Sequence, residues 1–308
     1  MAAASDRLML LDTASLYFRA FYGVPESVTA ADGTPVNAVR GLLDSIARLA
    51  TLYSPTHLVA CWDDDWRPRW RVELIPSYKT HRVVEVVAGG TDVEEVPDPL
   101  ERQVPIIREA LTRLGIPIVG AAEHEADDVI GTLATGAGLP VDVVTGDRDL
   151  FQLIDDDADV TVVYTARGMS NLEQLRDADI VARYGVHADQ YADFATLRGD
   201  SSDGLPGVAG IGEKSAATLL AAHGDLAGIT AAAAETRGMT PGVAKKVLAG
   251  ADYLAVAPTV VRVVRDLPLP RPQRLHVPDP DESAAFVETW RIGTSFRRAA
   301  DALAATAG

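Results

Sequence analysis

Hydrophobic residues in this chain fall into two rhythms: short unbroken blocks, and longer stretches in which apolar positions recur every three or four residues. Arg7 to Leu11 is a block that ends at Asp12, and His57 to Trp62 is another that ends at Asp63. A third, beginning at Val141, ends at Asp147. Blocks of this length, closed by a charge, read as buried strands. Helical spacing covers roughly 36–53, 100–114 and 125–137 between them. The alternation predicts an α/β fold with a mostly parallel central sheet and helices on both faces. Ligands of such sheets bind beyond the carboxyl ends of the strands, so Asp12, Asp63 and Asp147 are expected at one edge.

The stretch 83–99 breaks the alternation. It is rich in Val, Gly and Pro, carries Glu85, Asp92, Glu94, Glu95 and Asp98, and has no Lys or Arg. It reads as a mobile loop or lid. Beyond about residue 171 the pattern turns helical, with a Gly-rich hairpin at 204–212 and, across 279–305, two short helices meeting near Gly293. No internal repeat or low-complexity tract is visible.

With 308 residues the chain can form one large domain or two that share an interface. Apolar runs such as Leu8 to Leu11 are far too short to span a bilayer, and Asp6 and Arg7 interrupt any signal-peptide pattern. A cytoplasmic protein without a membrane partner is expected, and no oligomer is implied. The single cysteine, Cys61, excludes an internal disulfide framework. A net charge of −16 argues against a nucleic-acid partner. That argument fails if the carboxylates are gathered to hold cations, because a bound divalent ion reverses the local field.

The acidic residues are indeed clustered: Asp12, Asp63 to Asp65, Glu125-Ala-Asp127-Asp128, Asp147-Arg-Asp149 and Asp200-Ser-Ser-Asp203. Hard divalent cations take oxygen ligands, and phosphoryl transfer often uses two of them roughly 4 Å apart. Cys/His zinc spacing, a P-loop and a Gly-x-Ser-x-Gly elbow are all missing from the sequence. Plainer readings compete at each position. Asp12 or Asp147 alone suits a helix N-cap, and Glu125-Ala-Asp-Asp alone suits the charged first turn of a helix.

Taken in order, these segments resemble the bacterial 5′-nucleases, which include the nuclease domain of DNA polymerase I and the wider flap endonucleases. The likeness rests on Leu10-Leu-Asp12-Thr-Ala-Ser15-Leu-Tyr-Phe-Arg19, on Trp70-Arg71-Val-Glu73 with Tyr78-Lys79-Thr-His-Arg82, and on Glu125-Ala-Asp127-Asp128. It continues through Thr145-Gly-Asp147-Arg-Asp149 and the long run from Gly199-Asp200-Ser-Ser-Asp203 to Gly212-Glu-Lys214. The resemblance implies two or more Mg²⁺ ions, replaceable by Mn²⁺. Asp12, Asp63, Glu125 and Asp127 would hold one, with Asp127, Asp147, Asp149 and Asp203 around the second. Asp128 and Asp200 match further acidic positions that support the cluster or an additional metal.

By the same likeness Lys79 and Arg82 reach the scissile phosphate, where a fixed cation stabilises the charge gained in the transition state. Arg71 also matches, with a structural salt bridge as its rival. Phe18 matches a base-stacking position, with core packing as the alternative. Arg19 and Tyr78 fall within the same DNA-facing motifs. Gly207, Gly210, Gly212, Lys214 and Ser215 form a helix–hairpin–helix whose backbone N–H groups can face duplex phosphates, a contact that positions without reading sequence. In relatives such hairpins often hold K⁺.

The sequence departs from the family pattern in three places. Gly204 replaces a usual Asn, the 83–99 region is acidic where arches are basic, and the chain stops at Gly308 without a polymerase domain. The expectation is a nuclease core over 1–184, with an arch or lid at about 78–104, joined to a helical DNA-binding lobe over 185–308. Its expected activity is two-metal hydrolysis of DNA at 5′ ends and flaps in replication and repair, leaving a 5′-phosphate and a 3′-hydroxyl. DNA, and possible replication or repair proteins, are the partners implied. The alternatives are a metal-dependent ribonuclease and a catalytically silent module that recognises DNA junctions.

Overall fold

Eight strands are present in the computed structural model, which describes residues 6–87 and 90–307. They are β1 (Leu8–Asp12), β2 (His57–Cys61), β3 (Val83–Glu85), β4 (Val93–Glu94), β5 (Ile118–Val119), β6 (Val141–Thr145), β7 (Val160–Tyr164) and β8 (Glu173–Leu175). Six of them form one sheet in the order β5-β2-β1-β6-β7-β8. All neighbours are parallel except β7 and β8. Leu8 lies level with both His57 and Val141, so β1, β2 and β6 start together and end together. That register delivers Asp12, Asp63 and Asp147 to one edge.

Every residue of β1 and β6 is buried, as a central parallel strand covered on both faces must be. The two-residue strand period divides them between two cores. Leu8, Leu10, Val141 and Val143 face a core that continues into the helical lobe through Leu220, Ile229 and Val247. Met9, Leu11 and Val144 face the other, which is closed by helices Asn37–Tyr53 and Val104–Arg113.

The helical lobe comprises Tyr191–Arg198, Glu213–His223, Leu226–Glu235, Pro241–Ala249 and Ala251–Val261. Residues beyond it depart from the expected 185–308 unit. Helix Gly293–Ala307 packs through Phe296, Ala299 and Leu303 against the second core, and Leu275 N donates to Thr56 O at 2.8 Å. The end of the chain therefore belongs with the sheet, because its apolar face fits the open side of Asn37–Tyr53. Helix Ala126–Ala134 is shorter than the pattern at 125–137, since Gly136 adopts a positive φ of 65° just past its end.

Part of the 83–99 stretch, expected as a mobile loop or lid, has regular structure, and its residues 88 and 89 lie outside the described residues. β3 and β4 pair antiparallel, and one helical turn, Asp98–Glu101, follows. Arg67 pairs with Asp92, and Trp66 Nε1 donates to Asp92 O at 2.7 Å, so the hairpin is tied at its base to the nuclease core. No helix among the described residues is long and apolar enough to cross a membrane.

Candidate active site

A cleft of about 560 Å³ opens at the carboxyl ends of β1, β2 and β6. Asp12, Asp63, Glu125, Asp127 and Asp147 line it, with Lys79, Arg82 and the aromatic Phe18. Asp12 is both the N-cap of helix Thr13–Gly23, accepting from Ser15 N at 3.1 Å, and a cleft residue accepting from Thr145 Oγ1 at 2.6 Å. The two readings of Asp12 are thus compatible. Asp63 accepts from Ala126 N at 2.9 Å, which ties β2 to the start of the helix that carries Asp127. A larger cavity of about 1040 Å³, lined by Asp155 to Asp157 and Arg262, contains none of the expected site residues.

These carboxylates are crowded by like charge. Burial, with Asp63 and Asp147 adding to it, pushes Asp12 up to about 7 against the hydrogen bond from Thr145. Burial also raises Asp63 and Asp127, and Asp147 and Asp12 repel the latter further. Asp149 is raised by burial and by Asp147 and Asp203, and its Oδ1 is buried without a hydrogen-bond partner. Asp203 rises to about 6, burial and Asp147 outweighing Lys79. Among the described residues no three acidic, His or Cys side chains close into a coordination shell.

The Glu125-Ala-Asp127-Asp128 motif is divided by helical geometry. Residues three apart share a face. Glu125 and Asp128 turn to Arg71, whose Nη1 lies 3.0 Å from Glu125 Oε1 and whose Nη2 lies 2.7 Å from Asp128 Oδ1. Asp127 is left to the cleft. Arg71 is 2% exposed and Asp128 is 0% exposed, and Asp128 also accepts from Val264 N at 2.9 Å. Asp128 is therefore not placed as a metal ligand, nor Arg71 as a DNA contact; the salt-bridge reading of Arg71 is the one the geometry favours. Tyr78 is likewise buried, donating its hydroxyl to Glu125 Oε1 at 2.7 Å. Lys79 pairs with Glu125 Oε2. Although burial acts to raise Glu125, Lys79 and Arg71 hold it below the usual carboxylate range.

Asp200 is similarly committed. Only 7% exposed, it pairs with Arg198 at 3.0 Å and accepts from Ser202 N at 2.9 Å, so it braces its own loop. Asp203 instead faces Arg82 at 3.9 Å. The unusual Gly204 has a steric cause. Its φ is +69°, and a Cβ there would lie 2.1 Å from Ser77 O. Without one, Lys79 N donates to Asp203 O at 2.9 Å and Ser77 Oγ donates to Gly204 O at 2.7 Å, docking the Ser77–Lys79 corner on this loop.

The hairpin between Tyr191–Arg198 and Glu213–His223 turns at Gly207, where φ is +67° and a Cβ would meet Gly199 N at 2.5 Å. Gly212 caps the second helix with open space beside it, followed by exposed Lys214 and half-buried Ser215. Lys246 reaches across and donates to Gly210 O at 3.0 Å. Arg19 donates to Ala166 O at 3.3 Å at the cleft's flank.

The motif match singles out Arg71 but not its neighbour Arg67. Buried, it donates through Nε to Tyr78 O at 2.6 Å and through Nη2 to Thr80 Oγ1 at 3.1 Å, fixing the corner that presents Lys79. Nothing in the sequence around Arg67 signals this role. Glu94 and Glu95 also enter the cleft lining, brought there by the β3–β4 hairpin.

A sheet whose strand ends carry an acidic cleft, continued into a helical lobe with a glycine hairpin, defines a nuclease-type α/β core with a helical partner lobe. Residues 7–185 match the family model described as the 5′-3′ exonuclease N-terminal resolvase-like domain, and 186–283 match the 5′-3′ exonuclease C-terminal SAM fold. The chain belongs to the 5′-3′ exonuclease family and is a hydrolase. It is 57% identical over 294 residues to a 5′-3′ exonuclease of Streptomyces coelicolor, covering 94% of this chain and 98% of that one. A 5′-3′ exonuclease of Mycobacterium tuberculosis is 49% identical over 309 residues, covering 96% and 97%. The fold is also that of the bacteriophage T5 D15 flap endonuclease, solved in a complex with DNA and metal ions, at a TM-score of 0.63 and 17% identity over 97% of this chain and 99% of that one.

Proposed function

We propose that this protein is a structure-specific 5′-nuclease that hydrolyses DNA phosphodiesters at 5′ ends and flaps in replication and repair. The observation that carries the reading is the set of cleft carboxylates that make no direct ion pair among the described residues: Asp12, Asp63, Asp127 and Asp147. The donors are all hard oxygens, and the burial and neighbouring carboxylates that raise Asp12 to about 7 impose a cost that a divalent cation would relieve. Mg²⁺ fits this set, with Mn²⁺ as a substitute. Asp12, Asp63, Asp127 and Asp147 would hold two ions, with Asp149 and Asp203 at the rim. Bound there, the ions supply charge neutralisation at the phosphodiester and a water acidic enough to serve as nucleophile.

The chain's own groups do the rest. Glu125, held by Arg71 and Tyr78, fixes Lys79 beside the cleft. Arg82 stands at the cleft mouth between Glu94 at 3.6 Å and Asp203 at 3.9 Å, the more accessible of the two cations for a phosphate. Phe18, stacked on Tyr17 at 5.3 Å, offers a ring to a terminal base. Residues 185–261 dock duplex backbone through the hairpin, Lys214 and Ser215. At the hairpin, the Gly210 carbonyl is already occupied by the Lys246 ammonium, so a K⁺ ion would have to use other carbonyls.

The test is a matched cleavage assay on 5′-flap, nicked and blunt duplexes, single-stranded DNA and the RNA equivalents, with Mg²⁺, Mn²⁺ or EDTA. Metal-dependent cutting near the duplex 5′ end supports the reading. Cutting of RNA alone would replace it with a ribonuclease, and flap binding without cutting with a silent junction-binding module.

A further inference from the structure

The β3–β4 hairpin gives the cleft an acidic exit. A groove of about 870 Å³ adjoins the cleft and shares Trp66, Glu94 and Glu95 with it. Asp92, Asp98 and Glu101 also line it, and among the described residues no Lys or Arg does. Of these acids Asp92 is neutralised by Arg67. Glu94 sits 3.6 Å from Arg82, so a carboxylate of this segment already stands on the cation that faces the phosphate position. The remaining walls include Val84, Val93 and Val96. The glycine hairpin of the helical lobe, by contrast, carries Lys214 and Lys246 beside Glu213.

We propose that this acidic groove is a specificity determinant that discriminates against long single-stranded 5′ tails, making a duplex 5′ end at a nick or gap, with at most a short unpaired tail, the preferred substrate class. This rests on the nuclease reading above. A tail leaving the cleft along the groove would bring successive phosphates within a Debye length, about 8 Å at physiological salt, of Glu95, Asp98 and Glu101. Duplex on the side of the glycine hairpin meets Lys214 and Lys246 instead.

The experiment compares single-turnover cleavage of a nicked duplex, a one-nucleotide flap and a long flap by the wild-type protein and by the Glu95→Gln, Asp98→Asn, Glu101→Gln triple variant. Wild type is expected to slow as the tail lengthens. The triple variant should raise the ratio of long-flap to nick cleavage about tenfold, as expected for removing several like charges from a phosphate path. An unchanged ratio, or wild-type cutting of long flaps as fast as nicks, overturns the proposal. If the triple variant melts early, Glu95→Gln alone carries the same test, with an expected rise of about threefold. Absence of metal-dependent cutting of any substrate by the wild type would instead remove the nuclease reading, and this one with it.

Discussion

Two acidic regions lie side by side in this molecule and are handled in opposite ways. Around Arg71, the carboxylates of Glu125 and Asp128 are buried and fully partnered by Arg71, Lys79, Tyr78 and backbone N–H groups. Around Asp127, the carboxylates of Asp12, Asp63 and Asp147 face one cleft with few partners, and burial first, then neighbouring carboxylates, raise Asp12 and Asp127. The first region is built to be stable by itself, whereas the second is stable only at a cost that a bound cation can offset. Adjacent residues of one motif fall on either side of that division.

The sharpest test is Asp147→Asn. It removes a cleft carboxylate without touching the paired region, and single-turnover cleavage in Mg²⁺ should fall by about 10²–10³-fold, the scale seen when one preorganised electrostatic group is lost. Affinity for flap DNA in Ca²⁺ should change little. Normal turnover would remove Asp147 from the site. Arg71→Ala attacks the other region. It leaves buried Asp128 without a cation and Glu125 with only Lys79 and Tyr78, and a loss of about 3–5 kcal/mol in unfolding free energy is expected. A denaturation midpoint within error of wild type would show that the pairing contributes little.

The contrast should also appear in pH dependence. Asp12 binds its proton more tightly in the folded state, at about 7, than its ordinary value of 3.8, and Asp203 does so at about 6. Raised groups of this kind contribute stability that is present at low pH and lost as pH rises through the folded values. Glu125, lowered by its partners, acts only below its ordinary 4.5 and with the opposite sign. In EDTA the melting temperature should therefore fall by about 5 °C between pH 5 and pH 8. Asp12→Asn should flatten the slope, and a wild-type protein that melts higher at pH 8 would contradict the crowding.

Much of this was legible in the sequence. The apolar blocks at 8–12, 57–61 and 141–145 are strands of a doubly covered sheet, with all five residues buried in the first and third and four in the second, and parallel register carries their trailing aspartates to one edge. What each carboxylate faces was not legible. Asp127 and Asp128 are adjacent and chemically identical, and only the packing of Arg71 separates them. Arg67 stayed hidden because its role lies in contacts to Tyr78 and Thr80 across a turn. The acidic 83–99 stretch concealed a hairpin because its strands are very short and their pairing is fixed by Arg67 and Trp66, residues outside it.

The smallest effect separates the cleft from the surface that would feed it. Lys214 lies in the first turn of helix Glu213–His223, is exposed, and makes no ion pair among the described residues. A cation in that position has no folding partner to lose, so Lys214→Ala should leave the melting temperature unchanged. If the hairpin grips duplex phosphate, each lost contact lowers the slope of log affinity against log salt by about 1 and weakens binding a few-fold, without regard to sequence. The single-turnover rate at saturating protein should hold, because the cleft acids are untouched. An unchanged salt slope would place the duplex on another face of the helical lobe; a fall in the saturated rate would mean that docking and chemistry are not the separable tasks that the two regions imply.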